Sequence, residues 1–246
     1  MTNRSSQLLT LPEHVLLNEL NHGISNEFTS AISVISRVAA RSSNVEVKAT
    51  LTRVTELLYR YAEVHQALQM PKHDVRTNSA AYLRNLCLSI SRSKLDHMKI
   101  TLVLATLPLW LQSNQCWLLG MLLHELITNA ARHAFSGEGG TIRIELLRIG
   151  SFVECRVLDN GSAPANSWPG RGLKIVNELT KALNGRFDQK FGAHGSASIV
   201  VFPSNCEPPI TANRRSEYER PQAGDDVILV PDLDQSLPTP QTTTIE

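Results

Sequence analysis

Two stretches of helical periodicity near the N-terminus constrain this chain more than any other feature. Across residues 16–38, apolar residues recur at Leu17, Leu20, Ile24, Phe28, Ala31, Ile35 and Val38. The steps alternate between three and four, as on one face of a packed helix. After the polar break Arg41-Ser-Ser-Asn44 the same spacing resumes at Leu51, Val54, Leu58, Tyr61, His65 and Leu68, and it stops before Pro71, which cannot continue a helix. Two long helices with so short a connector predict an antiparallel hairpin. Its apolar stripe has little to bury against within one hairpin, so the pattern predicts a homodimer whose two hairpins form a four-helix bundle.

Beyond Pro71 the texture changes. Residues 80–91 have helical spacing, KITLVLA over residues 99–105 alternates like a strand, and residues 115–135 form a long helical pattern. Residues 141–149 and 152–158 read as paired strands around the turn Gly150-Ser151, followed by a loop rich in Gly and Pro. Residues 173–183 are again helical, and residues 185–203 supply two closing strands around Gly192 and Gly195. The predicted class is α+β: a helical hairpin over residues 1–70, then a two-layer α/β sandwich over residues 71–203. Residues 204–246 hold six of the twelve prolines and no amphipathic period, which predicts a flexible tail. The short apolar patch at residues 227–230 could add a strand to a sheet edge or serve as a docking segment.

Composition narrows the classes of ligand. Lys plus Arg number 24 against 23 Asp plus Glu, so no global charge points to nucleic acid or an anionic membrane. Any charged ligand must be held by a local motif. The four cysteines, Cys87, Cys116, Cys155 and Cys206, form no CxxC pair, which argues against a zinc ribbon or a disulfide framework. No run approaches the roughly 18 apolar residues of a membrane span, and the N-terminus lacks a signal-peptide core. A cytoplasmic protein is expected.

Three segments carry the chemistry. In HELITNAARHAF, which begins at His124, about 100° per residue places Glu125, Asn129, Arg132 and His133 in one polar sector. Leu123, Leu126, Ile127, Ala130 and Ala134 fill the opposite side. A carboxylate and a carboxamide four residues apart offer oxygen ligands to Mg2+, directly or through water, and the Arg and His can face phosphate oxygens. An ordinary amphipathic helix with a solvated face would show the same pattern, so the reading needs corroboration. LDNGSAP supplies it. Asp159 at a strand end can accept the exocyclic amino proton of adenine, and Gly161 lets the base approach the backbone. Then Gly170-Arg-Gly172-Leu173 leads directly into a helix, whose N-terminus can face phosphates. Gly192-Ala-His-Gly195-Ser196 follows before a terminal strand.

The order HELITNAARHAF, VLDNGSAP, GRGLKIV and FGAHGSASIVVFP resembles the N, G1, G2 and final G boxes of the histidine-kinase-like (GHKL) ATPase superfamily, over residues 114–203. LLNELNHGISNEF resembles the phosphoacceptor box of HWE-related sensor histidine kinases, roughly L-N-H-R-x-x-N, and His124 before Glu125 fits that group's N box. Gly23 stands where that group usually has Arg, Ser25 where it has Lys, and the W-x-E signature is not apparent. The resemblance implies ATP and Mg2+ bound by Asn129, Arg132, His133, Asp159, Gly161, Gly170, Gly172, Leu173 and Ser196, with Glu125 ordering the metal through water. It further implies His22 as phosphoacceptor and the receiver domain of a response regulator as the partner that takes the phosphoryl group. At about 100° per residue His22 points roughly opposite the apolar stripe, open to a nucleotide. Two other readings fit the same motifs. One is a phosphotransfer or scaffold protein with a degenerate ATP domain, and the other is a GHKL ATPase or serine kinase whose hairpin only dimerises.

Overall fold

The computed structural model describes residues 11–71, 76–135, 137, 139–162, 171–192, 195–204 and 227–229, without the side chains of 11–22, 171 and 227–229. Helix α1 (Leu11–Arg41) and helix α2 (Val45–Ala67) form the expected hairpin. Asn44 makes the connector sharp, because its Oδ1 accepts from the N–H groups of Glu46 at 2.9 Å and Val47 at 3.2 Å. Two of the orphan donors that open α2 are thereby satisfied.

The seam between the two helices is narrower than the apolar pattern. Phe28, Ile32, Ile35 and Ala39 of α1 are buried or half-buried, as are Leu51, Leu58 and Val64 of α2. Val34 and Val38 are 48% and 52% exposed, and Val47, Val54 and Tyr61 are exposed at seven-residue spacing. The hairpin leaves a second apolar flank uncovered.

The remaining elements build one layer of helices on one sheet. Strand β1 (Arg76–Asn78) runs into helix α3 (Ser79–Ile90), capped by Asn78, whose side chain accepts from the N–H of Ala81. A five-residue π-helical turn, Ser91–Leu95, and a 3-10 turn, Asp96–Met98, lead to strand β2 (Ile100–Thr106). Strand β3 (Trp110–Gln112) pairs with β1 as a small separate ribbon. Helix α4 (Ser113–His133), strands β4 (Gly140–Ile149) and β5 (Phe152–Asp159), helix α5 (Arg171–Ala182) and strands β6 (Arg186–Gly192) and β7 (Gly195–Pro203) follow. Strand β8 (Val227–Leu229) is the apolar patch of the C-terminal region. The large sheet has the order β6-β7-β5-β4-β2-β8.

Among the described strands only β2 and β4 pair in parallel, because α4 is the crossover between them. β8 pairs antiparallel with β2, setting Val103 opposite Leu229, so this patch extends the sheet at its β2 edge. No helix among the described residues is long and apolar enough to cross a membrane.

Alternation decides which face of the sheet is covered. Ile142, Ile144 and Leu146 of β4, Val153, Cys155 and Val157 of β5, and Val200 and Phe202 of β7 are buried. They join Leu83, Leu86 and Ile90 of α3, Leu119, Leu122, Leu123, Leu126 and Ile127 of α4, and Val176 of α5 in one core. The other face carries charge. Glu145 accepts from Arg143 at 2.8 Å and lies 3.8 Å from Arg156, its cross-strand neighbour. A two-layer sandwich results: the described helices pack on the first face, and the second carries these charges beside half-buried Leu147, Ile199 and Val201.

Asn44→Ala removes the cap of α2 and should lower unfolding free energy by about 1 kcal/mol, read as a shift in the urea midpoint at unchanged slope. An unchanged midpoint would mean that the connector is held by other contacts.

Candidate functional site

The polar sector of α4 faces the first turn of α5. Glu125 and Asn129 stand one turn apart, and Gly172 packs onto both of them. A Cβ at residue 172 would run into the Glu125 carboxylate and come within 2.8 Å of the Asn129 amide. Any side chain at residue 172 would displace the ends of both side chains. Neither the Glu125 nor the Asn129 side chain has a hydrogen bond or ion pair with a described residue, although both residues are half-buried. Unpaired oxygens on a partly desolvated face are the donor set a hard cation takes, so these residues fit Mg2+. Leu173 is half-buried beside them, Arg132 and His133 are exposed in the last turn of α4, and Gly170 lies outside the described residues.

A second cluster forms at the end of β5. The Asp159 carboxylate accepts from the N–H of Gly161 at 3.0 Å and the N–H of Ser196 at 3.2 Å, both on Oδ1. The Ser196 hydroxyl donates to Oδ2. Held from two strands, the carboxylate has a fixed orientation and keeps a lone pair on Oδ2 for an amino group such as that of adenine. Gly195 makes this approach possible. Its φ is +135°, and a Cβ there would strike the Asp159 carbonyl. Asn160 pins the strand end, because its Oδ1 accepts from the N–H of Thr141 at 2.7 Å. The N–H of Ser162 donates to the carbonyl of Ala134 at 2.9 Å, which ties the loop after β5 to the C-terminus of α4. The segments at 125–133, 159–161, 172–173 and 195–196 thus adjoin one another.

His22 lies on the helical backbone of α1, and its side chain is outside the described residues. Six residues further on, the ring of Phe28 stands 6.2 Å from the ring of His65 on α2. His22 is therefore at the end of the hairpin where the chain passes from α2 towards α3.

Sequence reasoning overlooked Lys94 and Thr128. Lys94 Nζ, on the π-helical turn, donates to Nε2 of His124 at 3.1 Å and to Oγ1 of Thr128 at 3.3 Å. A single basic residue thirty positions before His124 carries no signal of that contact. Burial first, then the Lys94 and His65 charges, push the His124 pKa down from 6.5 to about 4. The ring is neutral at pH 7, its proton on Nδ1 and Nε2 accepting from Lys94.

No protein-family model matches this sequence, and no curated protein matches it. Among solved structures, it is similar to the histidine kinase domain of the Erythrobacter litoralis EL346 blue-light activated histidine kinase. The TM-score is 0.52 at 21% identity, over 72% of this chain and 96% of that one. It is equally similar to a bacterial phosphotransferase, with TM-score 0.52 at 12% identity, over 79% of this chain and 98% of that one. At these identities the likeness is one of fold. The chain has the histidine kinase fold, a helical pair followed by a mixed sheet with helices.

Because the unfolded chain takes up the His124 proton near 6.5 and the folded chain only near 4, stability should fall as pH drops between those values. The slope is bounded by about 1.4 kcal/mol per pH unit. Urea midpoints across this range check it, and His124→Gln should flatten the slope.

Proposed function

We propose that this protein is a cytoplasmic two-component histidine kinase that phosphorylates itself on His22 and passes the phosphoryl group to an aspartate of a separate response regulator. In this reading residues 1–70 dimerise and carry the phosphoacceptor, residues 71–203 bind ATP, and residues 204–246 are a tail. The observation that carries it is the seating of Gly172 against Glu125 and Asn129, next to an Asp159 carboxylate oriented by Gly161 and Ser196. Elements from four parts of the chain adjoin there, which supports a site for a purine and a phosphate chain.

Asp159 would accept the adenine amino proton, and Arg132, His133 and the α5 N-terminus around Gly170, Gly172 and Leu173 would face the phosphates. Asn129 would hold Mg2+, and Glu125 would act through a bound water. Mg2+ supplies neutralisation of phosphate charge. A neutral ring nitrogen of His22 attacks the γ-phosphorus in line. The N–P bond forms as the bond to the β,γ-bridging oxygen breaks, and ADP leaves with that electron pair. The receiver aspartate then displaces the imidazole, forming an acyl phosphate. The exposed flank of Val34, Val38, Val47, Val54 and Tyr61 supports dimerisation, since association would take it from water.

A second reading, a phosphotransfer protein with a degenerate nucleotide site, is favoured by Gly23 in place of Arg and by the equal likeness to a bacterial phosphotransferase. Incubation with γ-labelled ATP and Mg2+ separates the two. The kinase reading expects acid-labile label on His22, lost in His22→Ala with ATP binding retained, and lost in Asn129→Ala together with ATP binding. Label persisting in His22→Ala would overturn the phosphoacceptor assignment, and failure to bind ATP at millimolar concentration would favour the second reading.

A further inference from the structure

Lys94 is a cation for which the site described so far has no use. It projects from the turn Ser91–Leu95 onto α4, where His124 and Thr128 accept two of its three N–H donors. Those acceptors immediately precede Glu125 and Asn129, so Lys94 runs beside both proposed metal ligands. No described carboxylate forms an ion pair with it, and it is half-buried. An ammonium partly withdrawn from water without a counter-charge is costly.

Its neighbours do not relieve that cost. Burial, then the positive charge of Arg132, hold the Lys94 pKa below its usual value, and Glu125 offsets them only in part. His124 is neutral and contributes an acceptor but no charge. At about 100° per residue, His124, Thr128 and Arg132 follow one another along a single stripe of α4, with Glu125 and Asn129 on the adjoining stripe. A row with two cations therefore borders a row of oxygen ligands. An anion with several oxygens, bridging both rows, would satisfy the third Lys94 donor and reduce the repulsion between Lys94 and Arg132. A terminal phosphate has that chemistry.

The hairpin borders the same place. Arg60 of α2 donates to the carbonyl of Arg92 at 3.0 Å, which docks the π-helical turn on α2. His65 of α2 is close enough to lower the His124 pKa.

Resting on the kinase reading above, we propose that Lys94 binds the terminal phosphate of the nucleotide, together with Arg132, on the side of α4 that faces the hairpin. ADP lacks that phosphate, which gives the proposal its signature. Lys94→Met should weaken ATP binding by roughly 10- to 100-fold, the effect of losing a hydrogen bond to a charged group. ADP binding should stay within about two-fold, and Lys94→Arg should restore most of the difference. The labelling rate at saturating ATP should fall at least as far in Lys94→Met.

A loss of ATP and ADP affinity by equal factors, or an unchanged labelling rate in a folded Lys94→Met protein, would show Lys94 to be only a strut between the π-helical turn and α4. Should Lys94→Met fail to fold, Arg132→Gln on the exposed last turn tests the same pair. It should also lose ATP in preference to ADP, and equal losses there overturn the proposal. A wild-type protein that binds no ATP removes the kinase reading and this inference with it. A wild type that labels beside an unimpaired Lys94→Met removes this inference alone.

Discussion

The lengthwise division of α4 is the constraint on which the rest of the site depends. Leu119, Leu122, Leu123 and Ile127 are fully buried and interlock with α3 and the sheet, in a close-packed interior that leaves a helix no freedom to turn. Rotating α4 by one residue, about 100°, would drive Glu125 towards the core, where an unpaired carboxylate is several kcal/mol too costly. The apolar face therefore sets the azimuth of Glu125 and Asn129. The loop after β5 sets the height of the helix by bonding to the Ala134 carbonyl. Asp159 and Gly172 can then be placed against α4 by short local geometry alone.

Charge is handled in opposite ways on the two sides of the sheet. On the open face, Arg143 pairs with Glu145 along β4, Arg156 pairs with Glu154 along β5, and Glu145 and Arg156 link the two strands. Along one stripe of α4, by contrast, Arg132 follows a neutral His124, and Lys94 reaches that stripe from the π-helical turn. The neutrality of His124 is a product of burial, and it lets Lys94 approach to hydrogen-bonding distance of an imidazole that would otherwise repel it. Paired charges shape the surface of the sheet, whereas Lys94, beside Glu125 and Asn129, has no ion pair with a described carboxylate.

Most of the architecture was legible in the sequence because periodicity survives folding. The three-and-four steps of α1 and α2, the alternation of β4 and β5 and the turn Gly150-Ser151 all report a neighbouring surface residue by residue. The positions of Gly161 beside Asp159 and of Gly172 at a helix start follow from local spacing, whereas Ser196 reaches Asp159 across 37 residues through the pairing of β5 with β7. What escaped was what depends on tertiary placement. β1 and β3 are three residues each, too short to show a period. The π-helical turn at Ser91–Leu95 arises where α3 must hand over to β2, and no residue type announces it. Lys94 meets His124 only once α3 and α4 pack side by side. The hairpin seam is narrower than the stripe, since Ile24, Ala31 and Val38 have the chemistry of seam residues but are exposed.

The hairpin meets the layered domain through the C-terminal end of α2, where Ala67 and Leu68 pack on its core. Val64 of α2 is 5% exposed and belongs to the same core as Leu83 and Leu86, and the Arg60 bond to the Arg92 carbonyl lies nearby. Burying a valine contributes roughly 1.5 kcal/mol or more, and one such hydrogen bond about 1 kcal/mol. Pulling α2 away from α3 and the π-helical turn would therefore cost a few kcal/mol at these two contacts, a difference of the size that a ligand's unequal affinity for two states can supply. The same motion would take away only the smallest of the three causes that lower the His124 pKa, so burial and Lys94 keep that ring neutral and its Nε2 an acceptor for Lys94.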